Sequence, residues 1–282
     1  MVICYSSYPY IRKCERSLSM IQNIHTLIEK LGLDTMKETI LAHLHECMYL
    51  YPQKEDTPTL ATSRLGGYPD FPPGWTYPEY QGEPLSFIGQ LNLEEVQRIG
   101  VANELPERGL LYFFYDAAEQ SVYGGELPNR DGWRVLYYDG DLSHLQTLPY
   151  PGTHKYGVLP ANNLQMIKGL SLHSEAITVP DEHWDVYWDQ FLPAFAEING
   201  SPTWHHQALG HPHNIQNDVF DEIDYFRKLE GNDRYTLLLQ VDTDEENLNI
   251  MWGDVGTIYF VIAQDDLRER NFANCYFSYQ CC

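Results

Sequence analysis

The densest group of side chains able to do chemistry lies in the stretch WHHQALGHPHN, which carries His205, His206, His211 and His213. Asp218, Asp221, Glu222 and Asp224 follow closely. Neutral imidazoles beside ionised carboxylates form the donor set of zinc-type divalent metals. A water on such a metal is a nucleophile near neutral pH, so the chemistry open to this stretch is metal-assisted hydrolysis. The spacing matches no fixed metal motif: there is no H-E-x-x-H helix, and His211 simply follows the glycine of an L-G-H-P turn. Loop histidines satisfied by hydrogen bonds or solvent are the more economical reading.

A second stretch, VDTDEENLN, alternates Asp242, Asp244 and Glu246 as calcium loops do. It fails the EF-hand pattern, with Asn247 where the sixth-position glycine belongs and Gly253 where the bidentate glutamate belongs. A solvated acidic turn is the better account. No G-x-S-x-G elbow, Walker loop or G-x-G-x-x-G occurs, and no cysteine sits in a nucleophile motif, so no catalytic constellation and no cofactor are implied. Two glutamines are more pointed. Gln90 and Gln240 each stand in an apolar strand-like run, where an amide is costly to bury without partners. Either they bond backbone across a sheet, or they line a ligand cleft with Trp252 and Asp254 of the WGD turn at its rim.

The elements that must position these residues follow from periodicity. PLSFIGQLNL with GLLYFFY, and YTLLLQVD with GTIYFVI, repeat one plan: an apolar strand carrying a glutamine, a polar connection, then a glycine opening an aromatic strand. RLGGYP and ALGHP precede the two copies. This pattern predicts an internal duplication, aligning Gln90 with Gln240, Asn92 with Asp242 and Tyr112 with Tyr259. Asn92 and Glu95 are spaced as a capping box. Ile21, Ile24, Leu27, Ile28 and Leu31 predict one helix. A second is predicted from a Thr35–Glu38 capping box, burying Ile40, Leu41, Leu44, Cys47 and Met48 until Tyr51-Pro52. Trp184, Tyr187, Trp188, Phe191, Leu192, Phe195 and Ile198 predict a third, capped by Asp181 and kinked or cut short by Pro193. The segment 142–177 gives weak signals and is expected to be irregular with short strands.

The fold expected is therefore α+β and sheet-dominated. A helical cover (20–51) and the mid-chain helix pack outside two similar β-rich halves (60–140 and 205–282) that form one unit over 20–282. No Gly/Ser linker divides the halves. Residues 1–19 lack clean periodicity. They read either as an extension upstream of a natural start at Met20 or as an arm packing Ile3, Tyr5 and Ile11 on the domain.

Composition narrows the partners. With 18 Lys and Arg against 40 Asp and Glu the net charge is −22, which repels phosphate backbones and anionic lipid and favours a basic protein or a cation. Nucleic acid and membrane are poor partners, and the 6 cysteines show no C-x-x-C spacing. No apolar run approaches the roughly 18 residues of a membrane span, and no secretory signal is evident, so a cytoplasmic protein is expected.

Leu-Gly-Gly-x-Pro, the P-L-x-F-I-x-Q-L-N strand, L-L-x-F-F, LG-x-P-x-x-I-Q at Leu209 to Gln216, LLLQVDTD and MWGDVGTIYFVI together resemble the YwqG-like family from about Arg64 onward. The second copy departs from the glycine pair, with Gly210-His211 in its place. The resemblance implies a fold and no reaction. Members have been considered as immunity proteins beside toxin genes, which implies a toxin as the basic partner. The function expected is a non-catalytic acidic binding protein of immunity type, with a metal-assisted hydrolase on the four loop histidines as the alternative.

Overall fold

The computed structural model describes residues 8–54, 59–124, 131–154, 157–199, 205–227 and 235–282, without side chains for 8–18, 226 and 227. Its strands are β1 (Leu44–Lys54), β2 (Arg64–Leu65), β3 (Asp70–Phe71), β4 (Glu79–Tyr80), β5 (Glu83–Pro84), β6 (Ser86–Asn92), β7 (Leu110–Tyr115), β8 (Trp133–Tyr138), β9 (Gln146–Thr147), β10 (Asn162–Leu172), β11 (Gln207–Ala208), β12 (Tyr235–Asp242), β13 (Thr257–Ala263) and β14 (Tyr276–Gln280). Ten of them form one antiparallel sheet in the order β14-β13-β12-β11-β1-β10-β2-β6-β7-β8. β1 and β10 form its spine, and four strands extend from each side.

The sheet curls into a nearly closed barrel because its two ends share aromatic packing. Tyr115 stacks on Phe277 at 4.4 Å, Tyr123 stacks on Tyr279 at 5.1 Å, and Phe113 meets Phe260 at 5.2 Å. The Trp133 indole donates to the Cys275 carbonyl (2.9 Å), and Gly124 bridges to Ser278. Strand patterning follows from this closure. In β7, Leu111, Phe113 and Tyr115 point into the barrel, while Leu110, Tyr112 and Phe114 pack outward on Phe71, Tyr77 and Phe87. In β13, Ile258, Phe260 and Ile262 point inward, while Tyr259 and Val261 pack on Val219 and Ile223 of the helix Val219–Arg227. Both strands are thus buried on two faces, which is why they read as continuous apolar runs.

Three expectations are corrected. The second helix ends at Ala42, and Leu44–Lys54 is strand β1. Leu44 and Met48 have helical spacing, yet β10 pairs with β1 along its whole length and β11 pairs at Met48–Tyr49, so cross-strand bonds outweigh local periodicity. The Thr35–Glu38 capping box does not form: Thr35 lies in a 3₁₀ turn, and its hydroxyl meets His183 Nε2 at 3.2 Å. The segment 142–177, expected to be irregular, contains the long central strand β10.

The mid-chain helix is present in pieces. A 3₁₀ turn at Asp181–His183 starts from Pro180 without a side-chain cap, so Asp181 is not the cap expected. A helical turn at Trp184–Val186 and a π-helical turn at Tyr187–Phe191 lead into Leu192–Asn199. The π turn ends two residues before Pro193, and such local widening re-routes backbone bonds around a residue that has no N–H. Tyr187, Phe191 and Phe195 face Ile24, Leu27 and Ile28 of the helix Tyr8–Lys30, and with Leu170 they form the layer outside β1 and β10. That first helix runs unbroken through Met20, since backbone hydrogen bonds do not need an apolar stripe. Ile3 and Tyr5 lie outside the described residues. Among the described residues no helix is long and apolar enough to cross a membrane.

Candidate functional site

Two loops enter the barrel wall, and each is fastened by one of the buried glutamines. Gln90 Oε1 accepts from Asp70 N (3.1 Å), and its Nε2 donates to the Thr62 carbonyl (2.9 Å) and to Asp70 Oδ2 (2.9 Å). Gln240 Oε1 accepts from His213 N (2.9 Å), and its Nε2 donates to the His205 carbonyl (2.6 Å). The neighbouring tyrosines repeat the correspondence: Tyr112 donates to the Asp70 carbonyl (2.6 Å) and Tyr259 to the His213 carbonyl (2.8 Å). Gln90 pairs with Tyr112 and Gln240 with Tyr259 in their ladders, each just beyond a bulge. Both amides are fully buried, and they do not meet, because β11, β1, β10 and β2 lie between their strands.

The first loop, 62–70, is closed by an ion pair. Arg64 Nη2 lies 2.8 Å from Asp70 Oδ1, and both side chains are essentially inaccessible. Burial pushes the Asp70 carboxyl up, but the hydrogen bond and charge of Arg64, with Thr147 and Ala61, hold it below the ordinary value. Asn92 caps the helix Leu93–Ile99 by accepting from Glu94 N (3.0 Å). Glu95 does not complete the capping box: its carboxylate accepts instead from Ser63 N (2.9 Å), tying the helix to this loop.

The second loop, 205–213, has no such pair and holds the histidines in three separate settings. His206 is fully buried. The Asp242 N–H donates to its Nδ1 (3.1 Å), so the ring proton sits on Nε2 and is donated to Asp244 Oδ2 (3.2 Å). Asp244 also accepts from the Asn247 backbone and amide, each at 2.8 Å. Asp242 accepts from His205 N (2.9 Å) and Thr257 Oγ1 (2.8 Å). In the acidic turn, expected to be solvated, the carboxylates of Asp242 and Asp244 are instead committed to backbone and side-chain donors, and Asp244 is buried.

His205 and His213 stack on one another with centroids 3.8 Å apart. Burial, then the neighbouring His213, pull the His205 imidazole down to about 4, against the opposing charge of Asp242. His211 stands apart from that pair and stacks on His173 at 3.7 Å. Asp218 Oδ2 lies 2.8 Å from His173 Nε2 and 3.1 Å from His211 Nε2. Asp218 Oδ1 caps the helix Val219–Arg227 by accepting from Phe220 N (2.8 Å) and Asp221 N (3.1 Å). Burial raises the Asp218 carboxyl, but the His211 hydrogen bond and charge, the Asp221 N–H and His173 outweigh it and bring it down to about 2. His205, His211 and His213 line a cavity of about 160 Å³ with Tyr49, Ser174 and Phe195.

The family described as Domain of unknown function (DUF1963) matches residues 63–281. The chain belongs to the DUF1963 family. This family corresponds to the YwqG-like proteins whose motifs the sequence resembles. No curated protein matches the chain. The matched stretch of the DUF1963 chain begins after β1, the strand that holds its two sides together.

Trp252 of the WGD turn is fully buried among core residues and Asp254 is exposed. The structure thus places Gln90, Gln240, Asp242, Asp244 and Trp252 in the scaffold of this DUF1963 protein and Asp254 on its surface. Sequence reasoning missed His173 and Glu175. They lie just past the end of a strand that the sequence did not signal, far along the chain from His211.

Proposed function

We propose that this protein is a non-catalytic acidic binding protein that masks a basic protein partner, as an immunity protein masks a toxin. Its contact face is the connection between β12 and β13. The observation that carries this reading is Val255, a β-branched residue held at a φ of 54° and 55 % exposed. A left-handed backbone costs such a residue about 1–2 kcal/mol, and strain of this kind persists where surrounding structure over-determines it, often at contact sites. The tip is held from below: Gly256 N donates to the Trp252 carbonyl (2.7 Å) and Thr243 N to the Gly256 carbonyl (3.0 Å). Met251, 39 % exposed, stands near it in sequence, and Glu245, Glu246 and Asp254 are exposed in the same connection. An exposed apolar residue held by backbone bonds, in a connection that also carries exposed acidic residues, suits association with little ordering cost, and the net charge of −22 steers a basic partner toward it.

A low-salt pull-down with matched variants tests this reading. A one-to-one complex with a basic protein should weaken more than about tenfold in the Glu245→Gln, Glu246→Gln, Asp254→Asn triple variant. It should hold when Glu29, Asp34 and Glu38 are made neutral instead. Equal losses in the two sets would reduce the binding to undirected charge attraction and end the proposal.

We also infer that the two sides of the sheet descend from one duplicated unit. Support comes from the matched glutamine and tyrosine ladder positions, their adjoining bulges and the same three loop contacts in each half. Superposing experimentally determined halves on Gln90 and Gln240 tests it, and bulges out of register would sink it.

A second reading, a metal-assisted hydrolase using His205, His206, His211 and His213, draws support from the cavity that three of them line. Metal-stimulated cleavage of model phosphoesters and carboxylic esters by metal-free protein, lost in His205→Gln, is the measurement that decides it.

A further inference from the structure

The histidine end of the barrel carries a donor set that the acidic-face reading does not use and that shares only His211 with the loop motif. We propose that His173, Glu175 and His211 form a binding site for one divalent first-row transition metal of the zinc class, with Asp218 as the positioning carboxylate.

The site is argued from geometry. One ligand atom from each of His173, Glu175 and His211 lies within 4.8 Å of the others, the spread that a single ion can bridge. Two imidazole nitrogens and one carboxylate oxygen are the donor set of open zinc-type sites, which leave a coordination position for water. Asp218 supplies what such sites also need. Its Oδ2 lies against Nε2 of both rings, and an ionised carboxylate only accepts, so both rings place their protons on Nε2. In the neutral rings each Nδ1 then carries a lone pair; the side-chain contacts of both rings fall on Nε2, the 3.4 Å approach of the Asn214 amide to His211 included. Orientation of metal-binding histidines by a carboxylate on the far ring nitrogen is the usual supporting arrangement.

The surroundings fit as well. Asp218 is itself fixed at a helix N-terminus by two backbone donors, so it cannot easily swing away. His211 is 4 % exposed, and His173 is anchored by its N–H to the His43 carbonyl (3.1 Å). Glu175 is exposed in a short 3₁₀ turn and can complete the site from the solvent side. His45 lies 5.9 Å from His211 and His43 lies 6.1 Å from His173, ring to ring, as further nitrogen donors at the mouth. This inference does not depend on hydrolysis or on a protein partner.

The test is calorimetric titration of untagged, chelator-treated full-length protein with zinc chloride, with far-UV circular dichroism as the folding check. One equivalent should bind. His173→Gln and Glu175→Gln, both at accessible positions, should each weaken binding at least about tenfold without changing the dichroism. Asp218→Asn, which keeps the helix cap because Asn caps as well as Asp, should weaken binding about 10–100-fold. Three outcomes overturn the site: no saturable binding, binding unchanged in His173→Gln and Glu175→Gln, or binding lost only when His205 and His213 are replaced.

Discussion

In the first half of the sheet, the loop 62–70 hangs from Gln90 and is sealed by the buried Arg64–Asp70 pair. In the second half, the loop 205–213 hangs from Gln240 by the corresponding bonds. Gln207 and His213 there occupy the places of Arg64 and Asp70, so the Arg–Asp pair has no counterpart at those two positions. The clamp is the same in both and the filling differs. In the first loop the ion pair is buried at the wall; in the second, imidazoles line a small cavity. Both glutamines are spent on holding a loop, and the residues that they hold differ.

The largest expected effect comes from breaking the seal that distinguishes the two loops. Arg64→Met strands Asp70 as an uncompensated buried charge and should cost about 3–5 kcal/mol in denaturant unfolding. A loss below about 1 kcal/mol would mean that the pair adds little to the first loop. Next come the clamps themselves. Gln90→Leu and Gln240→Leu should each cost about 1–3 kcal/mol for every buried group left without a partner, with Gln90→Leu the worse because it also releases Asp70. The comparison sharpens in a second readout: Gln240→Leu should weaken zinc binding by moving the loop that carries His211, whereas Gln90→Leu should leave it unchanged.

A smaller effect is set by pH and belongs to the second loop alone. His205 is held down to about 4 from an ordinary 6.5, so between those values the unfolded chain binds more protons than the folded one. Stability is complete above 6.5 and should fall as pH drops toward 4. His205→Gln should flatten this part of the thermal-melting profile. Asp218 acts in a lower window, from 3.8 toward about 2, where its stabilisation is lost on acidification. An unchanged profile in His205→Gln would show that the ring is not buried neutral. The smallest expected change is at Val255, where Val255→Gly relieves the left-handed backbone and should raise stability by about 1 kcal/mol while weakening partner binding. A fall in stability would mean that the valine is held by packing and not by strain.

By itself the sequence determined much of this protein. The apolar runs around Gln90 and Gln240, the aromatic strands of β7 and β13 and the family motifs are local patterns, and strands buried on both faces announce themselves as continuous apolar stretches. Asn92 was legible as a helix cap for the same reason: its partners are its immediate neighbours.

Tertiary structure decided what depends on distant partners. Leu44–Lys54 has helical spacing and becomes a strand because β10 and β11 flank it. Glu95 looked like half of a capping box and instead reaches Ser63. The four histidines of one short stretch looked like one cluster and were divided among Asp244, a stacked pair and Asp218, while His173 and Glu175 were brought in from the end of β10. Side-chain spacing along a loop does not fix which way each residue points; only the hydrogen bonds of the folded chain, with Gln240 at their centre, could do that.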